Sequence, residues 1–417
     1  MKALLQKLVD RVDLSPEEVE AAFQSIFQGE ATPAQMGAFL VALRMKGETP
    51  PEIAAAATVM RRLATQVRTP PGRVVLDTCG TGGDGAGTFN ISTAAALVVA
   101  GAGVTVAKHG NRSVSSRSGS ADLLTACGVT VDAPVEVIER CLSEVRIGFL
   151  YAPALHGAMR HVGPVRREVG VRSIFNLLGP LANPARAPRQ LLGVYASTLV
   201  PVVAETLARL GTERALVVHG LEGLDEISPS GPTRAAWVEA GQVREVVLQP
   251  EDGGLKPVPR GALQGGTPEE NAQLLTGLLE GRAGAVRDAV LLNAGAALWV
   301  ADAVDTLAEG VLRAAESIDS GAARTRLERL VALTRAGVAV CAGDEARRPP
   351  GGRRKECSAS SSRWRRRTSL DESASGPDSS RRSPAARATL RGSRPPCVPA
   401  QDFPSSARSS SPHPPPG

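Results

Sequence analysis

Paired cysteines, zinc-type spacings and long apolar runs are all missing from this chain. The six cysteines stand at 79, 127, 141, 341, 357 and 397 with no Cys-x-x-Cys pair and no His/Cys cluster, so neither a disulfide framework nor a structural zinc site is expected. No segment reaches the roughly 18 uninterrupted apolar residues of a membrane span. Gln6, Lys7 and Asp10 break the N-terminal apolar run too early for a signal peptide. A reducing, cytoplasmic setting without membrane contact is the expectation. The glycine-rich stretch after Asp77 lacks the Gly-Lys-Ser/Thr ending of a Walker A loop.

An excess of positive charge is also missing from most of the chain. The net charge is +6, but residues 346–417 hold 15 Lys/Arg against 5 Asp/Glu, a net of +10, which leaves 33 against 37, a net of −4, for residues 1–345. Nucleic acid is therefore not an expected partner, apart from nonspecific contacts of the basic end with RNA or acidic surfaces. That end carries 16 Ser and 12 of the 31 Pro and almost no periodic apolar residues. A disordered Ser/Pro/Arg-rich tail is expected. It reads either as an extension without a role or, from the abrupt onset of runs such as Arg363–Arg367 and Pro414–Gly417, as out-of-frame translation.

What is present begins with helix starts. Ser15-Pro16-Glu17-Glu18, Thr32-Pro33-Ala34-Gln35 and Thr49-Pro50-Pro51-Glu52 each put a hydroxyl at the N-cap, proline at the next position and Glu or Gln at N3. Three capping boxes predict three helices, with Met36, Phe39, Leu40 and Leu43 forming a buried face and Gly47 a stop. From Arg73 the pattern alternates. Short buried strands are expected at 74–76, 104–106, 147–151, 191–194 and 215–218, with a helix over 93–100. Residues 234–238 and 242–247 alternate as an antiparallel pair would, and a helical region runs from about Asn271 to Leu333. The expected fold class is α/β. It comprises a small all-helical N-terminal domain (1–70, joined by helices from about 153–185), a larger α/β domain with a mostly parallel central sheet (73–343), and the tail (346–417).

Two stretches carry the chemistry. Asp77-Thr-Cys-Gly-Thr-Gly-Gly-Asp84 runs from a strand into glycines, and Phe89-Asn-Ile-Ser-Thr93 opens the next helix. A tight structural turn uses the same glycines. The hydroxyls and amides at the following helix N-terminus favour an anion and point to phosphate. Lys108-His-Gly-Asn-Arg112 follows the next strand, where open α/β sheets bind ligands, and leads to Ser118-Gly-Ser-Ala-Asp122. Lys108 can act as a point charge on phosphate, and Asn111 offers an amide.

With Val165-Arg-Arg-Glu-Val-Gly-Val-Arg-Ser-Ile-Phe-Asn-Leu-Leu-Gly-Pro-Leu-Ala-Asn-Pro184 and His219-Gly-Leu-Glu-Gly-Leu-Asp-Glu-Ile-Ser228, these form four motifs in order. Over about residues 1–336 the chain resembles the anthranilate phosphoribosyltransferase family. The resemblance implies transfer of phosphoribosyl from 5-phosphoribosyl 1-diphosphate to the amino group of anthranilate, in tryptophan biosynthesis. It also implies a homodimer formed through the helical domain, and Mg²⁺, two ions per monomer. In the first motif, Gly80, Gly83, Asp84, Thr88, Asn90, Ile91, Ser92 and Thr93 would hold the donor. In the second, Lys108, His109, Gly110, Asn111, Arg112, Ser113, Val114, Ser115, Ser116 and Ser120 would do so. Gly80, Asn111, His156 and Arg166 would line the anthranilate site, and Ser92, Asp225 and Glu226 would hold the metal.

Each assignment has a plain alternative. Asp225-Glu226 suits hard cations, though such a pair is often a solvated face. Arg166 offers a fork to a carboxylate, though Arg167 and Arg172 beside it show how often arginine only faces solvent. His156 could equally be a packed helix residue, and Phe175, Leu177 and Leu178 read as core. No general base is expected, because the aromatic amine is neutral at pH 7; Lys108 would act electrostatically. A pyrimidine nucleoside phosphorylase, or a non-catalytic nucleic-acid-binding relative, are the alternative functions.

Overall fold

The computed structural model describes residues 1–113, 117–259 and 261–346, of which 338–346 are described as backbone only. Val114, Ser115 and Ser116 of the second motif, and the expected tail from residue 347 onward, lie outside the described residues. Four helices open the chain, α1 (Lys2–Val9), α2 (Pro16–Gln28), α3 (Pro33–Lys46) and α4 (Pro50–Leu63). There follow β1 (Val75–Gly80), α5 (Ile91–Gly101), β2 (Thr105–Gly110), α6 (Ser120–Ala126), α7 (Val135–Arg140) and β3 (Ile147–Tyr151). Next come α8 (Ala152–Leu155), α9 (Met159–Val169), α10 (Phe175–Leu181), β4 (Arg189–Gly193), α11 (Leu199–Arg209) and β5 (Arg214–Gly220). The chain then forms β6 (Thr233–Glu239), β7 (Gln242–Leu248), α12 (Pro268–Leu279), α13 (Ala285–Val300), α14 (Leu307–Asp319) and α15 (Ala322–Ala346).

The three capping boxes start α2, α3 and α4. At Ser15 and Thr32 the hydroxyl accepts the N3 amide at 3.3 Å, and the N3 side chain accepts the cap amide at 3.0 and 3.1 Å. At Thr49 the exchange is one-sided. The fully buried Glu52 carboxylate accepts both the amide and the hydroxyl of Thr49, at 2.9 and 3.0 Å, and also Lys46 Nζ at 2.9 Å and the Leu14 amide at 3.0 Å. A buried charge needs that many partners, so Glu52 doubles as the tie between the α1–α2 connection and α4. The three boxes undercount the helices, because α1 begins beside Met1 with no side-chain cap.

Phe23 of α2 packs on Phe27, Phe39 and Phe175, with ring centroids 5.9, 5.9 and 5.7 Å apart. Phe175 belongs to α10, and Val162 and Val165 of α9 are buried in the same cluster, so later helices complete the core of the N-terminal bundle. Phe175, Leu177 and Leu178 are core, as read from the sequence.

The seven strands of the described residues form one sheet in the order β3-β2-β1-β4-β5-β6-β7. β3 through β5 are parallel, and β6 and β7 are added antiparallel, which matches the alternation at 234–247. Side chains alternate between two cores, as the twofold strand repeat requires. Leu192, Ala215, Val217, Ala236 and Val238 face α11 and the helical bundle, whereas Leu191, Leu216, Val218, Ala235 and Trp237 face the side covered by α5 and α13. The helical region at the C-terminal end starts at Pro268 behind a fourth capping box, Thr267–Glu270, and its backbone continues to Ala346 rather than stopping near Leu333.

From β1 the chain moves outward to β2 and β3, then returns to place β4 on the other side of β1. Such a reversal opens a crevice at the carboxyl ends of the two strands. There Gly80 of β1 lies in register with Gly193 of β4.

Candidate active site

Two glycines opposite one another leave the crevice floor without side chains, and the loop after β5 fills it. A Cβ on Gly193 would overlap the backbone carbonyl of Asp225, and one on Gly80 would come within 2.5 Å of Asp225 Oδ2. The Asp225-Glu226 pair is therefore brought over the sheet edge by backbone contact. Asp225 Oδ2 accepts the Gly82 amide at 2.7 Å, and Glu226 Oε1 accepts the Ser92 amide at 3.0 Å. Asp84 joins from the glycine turn, its Oδ2 accepting the Asp225 amide at 3.4 Å.

At the helix N-terminus expected to favour an anion, three amides have partners within the chain. Ile91 and Thr93 are buried, and their amides go to Phe89 O at 2.8 Å and Asn90 O at 3.2 Å. The Ser92 amide goes to Glu226, so an internal carboxylate sits beside the start of α5. Asn90 is likewise committed. Its Nδ2 donates to Ser118 O at 3.0 Å and its Oδ1 accepts from Asn271 Nδ2 at 3.0 Å, which joins α5, the second motif and α12.

Lys108, on β2, lies beneath this cluster. The residue is 2% exposed, and its ammonium donates to Thr78 O at 2.6 Å and to Ser92 Oγ at 3.5 Å. Burial lowers its pKa, against the opposing pull of Asp77 and Glu226. Burial pushes Glu226 up to about 7, with Lys108 acting in the other direction. Asp225 is raised well above the ordinary carboxylate range by withdrawal from water and by the Glu226 and Asp84 charges. Asp225, Glu226 and Asp84 gather three carboxylates with Lys108 acting on Glu226, a set short of positive charge, which suits a hard divalent cation. Among the described residues no group of three or more His, Cys, Asp or Glu side chains closes into a metal cage. Asp225, Glu226 and the Ser92 hydroxyl fit Mg²⁺ as a partial oxygen set, which water and phosphate oxygens complete in sites of this kind.

The second motif is held from behind by Asp122. Its Oδ2 accepts the amides of Ser113 and Gly119, both at 3.0 Å, and its Oδ1 accepts Arg112 Nη1 at 2.8 Å. Gly110 packs against Ser120 and Phe149, and Ser120 Oγ donates to Asn111 O at 3.2 Å. Asn111 itself is exposed, its Oδ1 accepting the Arg112 amide at 2.7 Å. Thr88 lies opposite Gln264 in an isolated bridge.

His109 is buried against His156, which directly follows α8 and is not inside a helix. Their Nε2 atoms are 3.2 Å apart, and His109 Nδ1 is 3.0 Å from Gly179 O. Arg166, on α9, rests its guanidinium 5.2 Å from the centroid of Phe175. Burial lowers its pKa, and among the described residues it has no carboxylate partner. Ser92, Lys108, Asp225, Glu226 and Gly80 thus meet at one place and His109 with His156 at another, while Arg166 makes no hydrogen bond to either group.

Four supporting residues escaped the sequence reading. Asp77, fully buried and raised to about 6 by that burial, accepts the His109 amide at 3.1 Å and Asn183 Nδ2 at 2.8 Å, fixing the second motif to the first. Asp77, Asn183 and Asp122 all lie inside the quoted motifs, which was their only signal. Gly193 had none, since its importance depends on the strand register.

Comparison with known proteins gives one answer. The helical bundle domain of the glycosyl transferase family matches residues 2–64, and the a/b domain of that family matches residues 72–324. A curated anthranilate phosphoribosyltransferase of Symbiobacterium thermophilum is 56% identical over 335 residues, 80% of this chain and 98% of the relative. That of Anaeromyxobacter sp. strain K is 58% identical over 330 residues, 79% of this chain and 97% of the relative. The crystal structure of the Thermus thermophilus anthranilate phosphoribosyltransferase superposes with a TM-score of 0.75 at 48% identity, covering 80% of this chain and 99% of that one. The Saccharomyces cerevisiae enzyme in complex with PRPP and Mg gives 0.72 at 30% identity, covering 80% and 97%.

Proposed function

The chain belongs to the anthranilate phosphoribosyltransferases, enzymes of tryptophan biosynthesis that transfer phosphoribosyl from 5-phosphoribosyl 1-diphosphate (PRPP) to the anthranilate amino group, and from that membership we propose which of its residues do the work. The donor lies along the Gly80–Thr93 turn and the Lys108–Ser120 segment. Gly80, Asn111, His156 and Arg166 receive anthranilate. Asp225 and Glu226, with Ser92, hold Mg²⁺. The observation that carries this reading is the convergence of Gly80, Ser92, Lys108, Asp225 and Glu226 at the β1/β4 crevice.

Loss of diphosphate leaves cationic character on the ribose ring, so the main task is to stabilise the departing negative charge and exclude water. Bound Mg²⁺ supplies Lewis-acid stabilisation of that charge. Lys108 adds a fixed cation from below, at no reorganisation cost because Thr78 O already orients it. Arg166 pairs with the anthranilate carboxylate and Asn111 orients the amine, which attacks as a neutral nucleophile. Positioning then supplies much of the rate, and no general base is assigned.

Two Mg²⁺ per chain and a cytoplasmic setting belong to the same reading. So does the division into a helical domain of residues 1–70, completed by helices within 153–185, and an α/β domain of residues 73–343. A homodimer through the helical domain is supported by apolar side chains left in solvent on it, Val9 at 68%, Val12 at 48% and Met45 at 74% exposed. The test is loss of anthranilate fluorescence on adding PRPP and Mg²⁺, with thymidine and uridine phosphorolysis run beside it. Consumption of anthranilate that survives Ser92→Ala, Lys108→Ala and Asp225→Asn unchanged would overturn the residue assignment.

A further inference from the structure

The turn that leaves β1 is unusually free. Gly82, Gly83, Gly85 and Gly87 all have positive φ, 64°, 75°, 76° and 62°, a run of backbone with little intrinsic preference for one shape. Something must hold it in a conformation that accepts a ligand. One tie is the Asp225 carboxylate on the Gly82 amide. A second comes from outside the donor motifs. Arg172 Nη2 donates to the Gly83 carbonyl, and the same guanidinium lies 4.2 Å from the centroid of the Tyr195 ring. Tyr195 is anchored to the turn in its own right, its amide donating to Thr81 Oγ1 at 3.0 Å, and the Thr81 amide donates to Gly193 O at 2.9 Å.

Thr81, Gly83, Arg172 and Tyr195 thus form a closed loop of contacts. Arg172 stands two residues past Gly170, the C-cap of α9, and six residues past Arg166. A guanidinium held on an aromatic face is attracted by the ring and still has N–H groups to donate, so the Tyr195 ring helps to hold Arg172 where Nη2 reaches the Gly83 carbonyl. The glycine turn is therefore fixed to the segment that carries the anthranilate arginine.

We propose that Arg172, stacked on Tyr195, is a positioning residue for the donor, latching the Thr81–Gly87 turn through the Gly83 carbonyl. The inference rests on reading that turn as the donor cradle. Arg172 touches no reacting atom in this scheme and acts only through the turn.

The experiment measures both Michaelis constants and amide hydrogen exchange in the intact enzyme. Arg172→Ala is expected to raise the PRPP KM about tenfold, the worth of roughly one charge-assisted hydrogen bond, while the anthranilate KM stays within twofold. Exchange at Thr81–Gly87 should quicken without a matching change in the sheet. Tyr195→Ala should act in the same direction, Tyr195→Phe should restore the PRPP KM because the ring is kept, and the double variant should be no worse than the more damaged single one. A PRPP KM unchanged in Arg172→Ala, or both Michaelis constants rising together with unaltered exchange in the turn, overturns the latch. Gly83→Ala separates the two readings. It strains the cradle at a positive φ and raises the PRPP KM if the cradle is real, whether or not Arg172 matters.

Discussion

His109 Nε2 and His156 Nε2 face one another across 3.2 Å, and the geometry fixes which ring carries the proton between them. Gly179 O can only accept, so His109 holds its proton on Nδ1. His109 Nε2 is then the acceptor, His156 Nε2–H the donor, and His156 Nδ1 is left as a lone pair. Both rings are neutral, because burial lowers His109 to about 3 and His156 to about 4, and for His109 the neighbouring ring adds to the effect.

A pH dependence of stability follows from that neutrality. The ordinary value of 6.5 applies to the unfolded chain, so below it the unfolded state binds protons that the folded state refuses until about pH 4 for His156. The pair's contribution is complete above 6.5 and is lost as pH falls toward 4. His156→Gln keeps a donor toward His109 but does not titrate. Its urea-unfolding free energy should decline less steeply than that of the parent between pH 6 and 4.5, by about 1 kcal/mol per pH unit. Parallel slopes would mean that His156 is protonated in the folded protein.

Arg166 has no carboxylate partner among the described residues, and its guanidinium is half-buried on Phe175. A charge-assisted pair with the anthranilate carboxylate is worth about 1.5–3 kcal/mol, or roughly 10- to 100-fold in affinity. Arg166→Ala should therefore raise the anthranilate KM by about that factor and leave the PRPP KM within a few-fold. Steady-state kinetics with each substrate varied in turn checks this, and equal effects on both would remove Arg166 from the acceptor site.

The parts of this architecture that were legible in the sequence are those with local signals. Capping boxes announced α2 to α4, alternation announced β6 and β7, and the four motifs carried the proposed site residues apart from His156. What stayed hidden depends on contacts distant in the chain. The hydroxyls and amides at the start of α5 are plain in the sequence, but not that Glu226, 134 residues away, accepts the Ser92 amide. Nothing local to Lys108 shows that β2 buries it under the sheet edge. Helices from about 153–185 were expected to join the bundle, but not the particular contacts of Phe175 with Phe23 and Phe27.

Asp225 and Glu226 share a recess with Asp84, and both have raised pKa values because burial and like charge oppose ionisation. Removing the charges should relieve that repulsion while abolishing the cation preference. Asp225→Asn combined with Glu226→Gln is expected to fold at least as stably as the parent and to need at least tenfold more Mg²⁺ for half-maximal turnover, a loss of about 1.4 kcal/mol or more. Titrating Mg²⁺ at saturating PRPP and anthranilate, beside a thermal melt, measures both. An unchanged Mg²⁺ requirement would move the metal elsewhere.

Gly193 tests whether this pair depends on backbone contact. It does not have a positive φ, so alanine would meet no conformational penalty there, and the expected damage is wholly steric. A methyl group would overlap the Asp225 carbonyl and crowd the Glu226 amide, and the sheet on which Gly193 lies opposite Gly80 cannot yield easily. The loop must therefore lift. Gly193→Ala should cost about 1–3 kcal/mol of stability and should also raise the Mg²⁺ concentration needed for turnover, although no metal-facing side chain is altered. Gly179→Ala is the control, since open space surrounds the added carbon, and its Mg²⁺ requirement should stay at the parental value. Stability loss in Gly193→Ala with an unaltered Mg²⁺ requirement would show that the carboxylates hold their position independently of the β1/β4 glycine pair.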